Sequence, residues 1–186
     1  NLIGEIHRLR GNDFPAALDF FYQAIVLGRK EGREAALAIY FNNIGLAHLA
    51  QNRLGSATQY LDSSLQIITR LSLKNYESAI NISLGKLSLQ KQAPQQALVF
   101  FEKTISYDLS GHPNQFELYQ DAYDGIWQCN DLLGQHKEAL AAYKQYHRFQ
   151  SQIHDYTRQA TIFQNQILSE RTLHKNELDS LSNQIK

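Results

Sequence analysis

Seven histidines, a single cysteine and a set of aspartates are the groups in this 186-residue chain that catalysis or metal binding would draw on first. His147 and His154 stand seven apart, whereas paired ligands on one helix stand three or four apart. His112, His136 and His174 fall in a loop, at a helix start and in a polar helix, where solvent exposure accounts for them. His7 and His48 occupy one place in a repeat described below and are expected to be structural. Asp121, Asp124 and Asp131 have helical spacing rather than the alternate-residue spacing of a calcium loop. They form either a solvated acidic face or one wall of a binding groove. Cys129 has no basic sequence neighbour to lower its pKa. No Ser–His–Asp set can be argued from chain order alone. No metal, cofactor or enzymatic activity is expected, and a helical enzyme domain is the disfavoured alternative.

The elements that carry these residues repeat. Four columns align: Ile3-Gly4, Ile44-Gly45, Leu84-Gly85 and Ile126-Trp127; Gly11-Asn12, Asn52, Gln92 and Gly134; Ala17, Ala57, Ala97 and Ala139; and Phe20-Phe21, Tyr60-Leu61, Phe100-Phe101 and Ala142-Tyr143. The alanines are spaced 40, 40 and 42. Such a period means that each unit buries its apolar face only by stacking on its neighbours. Apolar residues within a unit keep helical spacing, as in Ala57, Tyr60, Leu61 and Leu65, so each unit is a helix pair, A then B. Glycine or alanine allows close helix approach, and Phe101 or Tyr143 fills the space between units. Helices are expected at 1–11, 14–29, 33–51, 54–71, 75–91, 94–109, 115–133 and from 136 onward. Trp127, replacing the close-packing glycine of unit four, requires different packing there, with Gly125 two residues earlier.

This pattern resembles the tetratricopeptide repeat, in its long form of about 40 residues, over residues 1–147. The resemblance implies an all-α fold, a right-handed superhelix of helix pairs, followed by a long C-terminal helix at 148–186. It also implies that the A helices line a concave groove that takes a protein or peptide ligand. By unit register the groove residues would be Asn42, Asn43 and Leu46, then Lys86 and Gln90, then Asp124, Gln128 and Asp131, with Glu5, Arg8, Leu49, Ile82, Ser83 and Leu89 beside them. Asparagine and glutamine amides suit an extended peptide because each offers a donor and an acceptor. Groove binders of chaperone tails use basic and amide clusters; Ile39, Ala79 and Ser83 stand where these belong, which disfavours that ligand class.

Past Tyr143 the pattern changes. Tyr146, Phe149, Ile153, Tyr156, Ala160, Phe163 and Ile167 alternate spacings of three and four, a heptad stripe. Leu178, Leu181 and Ile185 resume it after a step of eleven. Two coverings are open: a cap folded back on the array, or a coiled coil forming a homodimer, with the aromatic first half packed on unit four. The segment Ala139–His147 with the helix after it is similar to junctions between tetratricopeptide arrays and output domains in bacterial signalling proteins, such as diguanylate cyclases, histidine kinases or transcription regulators. The function this implies is a regulatory, protein- or peptide-binding region; the alternative is a free-standing scaffold or peptide receptor. Net charge is zero, which argues against a nucleic-acid platform. No apolar run reaches the ~18–20 residues needed to span a bilayer. A cytoplasmic location is expected, or a periplasmic one if a longer parent carries a signal or membrane segment. The chain does not begin with Met and reads as a fragment or processed product.

Overall fold

The computed structural model describes residues 14–184, all of whose regular structure is α-helical. The expected first helix, with Glu5, His7 and Arg8, lies outside the described residues. Seven helices follow: α1 (Phe14–Lys30), α2 (Glu34–Ala50), α3 (Leu54–Arg70), α4 (Lys74–Gln90), α5 (Pro94–Ile105), α6 (Gln115–Leu132) and α7 (His136–Gln184). Their starts advance by 20 residues four times and then by 21 twice, which produces the 40-residue period and its late slip to 42.

The cadence comes from one turn used repeatedly. A 17-residue helix ends, the chain enters the left-handed region for one residue, and the next helix begins. The left-handed residues of these turns are Gly32, Asn52, Ser72, Gln92 and Gly134, with φ between 52° and 72°. At each, the following N–H donates back five residues: Arg33 to Gly28, Arg53 to His48, Leu73 to Ile68, Ala93 to Ser88 and Gln135 to Asn130, at 2.8–2.9 Å. This Schellman closure satisfies carbonyls that a helix end leaves orphaned. Pro94 opens α5 at its first turn, where a missing N–H is harmless.

α5 stops at Ile105, not at 109 as periodicity suggested. Beyond it, Ser110 donates through both its N–H and its Oγ to Asp108 Oδ1, and the Leu109 N–H donates to the Tyr119 hydroxyl. These bonds turn the chain while Leu109 stays buried. Tertiary packing keeps the apolar residue but ends the helix.

The core forms between consecutive helices. Ile44 and Ala47 meet Phe21 and Ile25 in one cluster. Ala57 and Leu61 meet Leu84 and Leu87 in the next. Phe101 is fully buried in a third, with Ile126 and Cys129. A β-carbon on Gly45 would come within 2.6 Å of Leu61, and one on Gly85 or Gly125 within 2.7 or 2.3 Å of Phe101. The Phe101 ring is therefore wedged between two helices at places where only glycine fits. In unit four, Trp127 takes the place of Gly85 and meets Tyr143 edge-on, with ring centroids 5.7 Å apart. The expected difference in packing is thus an aromatic pair where the other unit has a glycine and a ring.

α7 is continuous for 49 residues, about 70 Å at a 1.5 Å rise. It runs unbroken from His136, as expected from the sequence, through 147–148, where the repeat pattern ends. Phe149 stacks on Tyr119 and Tyr123 of α6, with centroids 5.1 and 5.7 Å away. The aromatic first half of the stripe therefore packs on unit four. Residues 154–166 are exposed throughout. The helix runs on past the array rather than folding back as a cap, because α6 ends opposite the first stripe positions and supplies nothing further to pack on.

Candidate functional site

The A helices α2, α4 and α6 form a row in which α4 touches both neighbours. The residues expected to line this row divide into those the fold buries and those it leaves reachable. Asn43 is fully buried and Asn42 is 6 % exposed, so neither presents its amide to a groove. This corrects their placement. α2 is apolar on more than one side: Ile44 and Ala47 pack toward α1, Ala38 and Leu49 toward α3 and α4, and the asparagines between them are enclosed. Both polar atoms of the Asn43 amide and Oδ1 of Asn42 make no hydrogen bond. Leu46 is half-buried against the α3–α4 cluster. Leu49, Ile82 and Ser83 are buried as well.

The reachable residues gather on α4 and α6. Lys86 Nζ lies 2.9 Å from Asp121 Oδ2, tying the two helices together. Asp124 accepts from Trp127 Nε1 through one oxygen and from Gln128 Nε2 through the other, at 3.0 and 2.9 Å. Both bonds fix the carboxylate's orientation while leaving lone pairs for a ligand. Asp131 is exposed, 3.5 Å from His136 Nδ1, and Gln90 is exposed at the end of α4. Glu117, Asp121, Asp124, Gln128 and Asp131 follow one another at steps of four, three, four and three, which places them on one stripe of α6. α6 contains no lysine or arginine, and Lys86 meets this stripe from the neighbouring helix. The acidic wall was anticipated from three aspartates. Glu117 was missed as a member of this wall, although a step of four back from Asp121 finds it.

Three further groups, Cys129, His48 and Tyr107, are drawn into the packing of the fold. Cys129 is fully buried, and burial first, then nearby Glu102, pushes its thiol up to about 11. His48 is 6 % exposed and stacks on Tyr60, which confirms a structural role. Burial, aided by the charge of Arg53, holds its pKa below the ordinary 6.5. Tyr107 donates to Glu77 at 2.6 Å and is pushed up to about 12, chiefly by burial. Among the described residues no three His, Cys, Asp or Glu side chains come together to hold a metal ion. No described helix is long and apolar enough to cross a membrane.

The fold resembles that of BtubC (BKLC) from P. vanneervenii, whose crystal structure matches with a TM-score of 0.60 at 18 % sequence identity. The match covers 76 % of this chain and 58 % of BtubC, so the chain spans less than two thirds of that protein's length. At this identity the likeness is one of all-helical fold alone. No protein-family model matches the sequence, and no curated protein matches it closely enough to serve as a relative.

Proposed function

We propose that the chain is a binding module rather than an enzyme: a tetratricopeptide-like array whose A-helix row takes an extended protein segment carrying basic side chains. The observation that carries this reading is the α6 stripe, with four carboxylates and one amide on a single face, met by Lys86 at Asp121 and by His136 at Asp131. A carboxylate already oriented by two donors, as Asp124 is, meets an incoming guanidinium or ammonium without reorganising. The sequence resemblance to arrays of bacterial signalling proteins supports a regulatory role, in which α7 links the array to an output domain.

The test is to pan random displayed peptides on the purified chain and to titrate the enriched peptides by calorimetry. Enriched peptides should carry net positive charge, and Asp124→Asn should weaken them by about tenfold or more, the loss of one charge-assisted hydrogen bond. Lys103→Glu, on exposed α5 surface, should leave affinity unchanged. Peptides without basic residues, or with affinity indifferent to Asp124→Asn, would remove the site from α6.

A further inference from the structure

The apolar stripe of α7 is longer than the exposed part suggests. It begins at Ala139 and Ala142, both buried against the array, and continues at steps of three and four through Phe149 to Ile167. α6 covers its first half. Near Ile153 the covering helix ends and the same stripe goes on bare: Tyr156 is 69 % and Phe163 64 % exposed. A stripe recurring every 3.5 residues meets a second helix along its whole length, because 3.6-residue turns keep it in line only by supercoiling. The open half therefore continues an interface that the fold has already begun.

The flanks identify the occupant. On one side of the stripe stands a glutamine in every heptad: Gln145, Gln152, Gln159 and Gln166. On the other side stand Gln150, Thr157 and Gln164. These are the positions where coiled coils choose partners by charge, and here they carry none. A foreign helix finds no charge to read. A second copy brings the same amides, each both donor and acceptor, and no like charges to repel. Ala160 lies between Tyr156 and Phe163, a small layer between two bulky ones, which makes room for aromatic rings that would crowd a seam of uniform large residues.

We propose that residues 153–167 of α7 pair with the same segment of a second copy of this chain. Each array's α6 hands the stripe over to the partner's α7 where its own cover ends. The pairing is independent of what α6 binds, and its test needs no peptide.

Sedimentation equilibrium of the whole chain, with Phe163→Glu and Leu168→Glu beside it, decides the matter. Both residues are exposed, so neither change threatens the array, and unchanged circular dichroism verifies this. Leu168 lies off the stripe and serves as the control. The expected result is a dimer that Phe163→Glu weakens by about 100-fold and Leu168→Glu by less than about 3-fold, since only the first places a charge in the seam. The dissociation constant should move less than about 3-fold between low and high salt, because no charges flank the seam. A wild-type chain that is monomeric at about 200 µM, weaker than a millimolar-range association, overturns the proposal. So does a dimer indifferent to Phe163→Glu, or one that dissociates as salt rises.

Discussion

His48 and Asn43 show how a polar residue is read differently once its helix is in place. The place of His48 in the repeat marked it as structural, and its ring is buried flat against Tyr60, with centroids 5.4 Å apart. Asn42 and Asn43 share that helix, and their polarity suggested surface. Spacing alone does not separate the two cases, because α2 is covered on several sides and its register fits either face. The lowered pKa of His48 has a consequence for stability. The unfolded chain protonates this ring near 6.5, the folded chain only at lower pH. Folding is thus favoured above 6.5, loses stability as pH falls below it, and the loss levels off once the buried ring is itself protonated. Urea midpoints between pH 7.5 and 5.5 should fall for the wild type. His48→Phe, which keeps a flat ring beside Tyr60, should flatten that slope; an unchanged slope would assign it to other groups.

Among the elements, the turns were the most legible part of the sequence. Asn52, Gln92 and Gly134 share one column of the repeat, and all three are left-handed closures. What the alignment did not contain was the second set, Gly32 and Ser72, midway between, which halves the 40-residue repeat into nearly equal helices. Glycine, asparagine, serine and glutamine share one backbone conformation there, so the shape is set by hydrogen bonding and the residue type follows loosely. The end of α5 was illegible for the opposite reason: Leu109 continues the apolar period while Asp108 and Tyr119 withdraw the chain from the helix. Left-handed backbone costs a residue with a side chain about 1–2 kcal/mol, less for asparagine. Gln92→Gly and Ser72→Gly should therefore each raise the unfolding free energy by about 0.5–1.5 kcal/mol, net of the freedom glycine adds to the unfolded chain. Asn52→Gly should gain less. Chemical denaturation of the three variants gives the order; a loss at Gln92 would mean that its side chain holds the turn in another way.

At the scale of the whole molecule, the chain divides by what each part of α7 touches, not by where the repeats end. Up to Ile153 the helix is the last layer of the array, joined to α6 through Phe149, Tyr143 and the alanines at 139 and 142. Past that point residues 154–166 are exposed. The sequence placed the change at 147–148, where the small-and-aromatic repeat pattern stops, because pattern ends with Tyr143 whereas packing persists nearly three turns further, to Ile153. A solvent-facing helix of this length draws no stability from the array and supplies none to it. Truncation after Arg158 should therefore leave the array's unfolding free energy within about 0.5 kcal/mol, measured at submicromolar concentration where self-association is absent. Truncation after Arg148 removes Phe149 from its stack on Tyr119 and Tyr123 and should cost about 2–4 kcal/mol, somewhat below the ~3–5 kcal/mol for emptying a fully buried aromatic site because Phe149 is half-buried. Equal stability of the two truncations would place the array's edge before Phe149 and return the boundary to 147. A large loss in the longer one would mean that the outer part of α7 reaches back to the repeats after all.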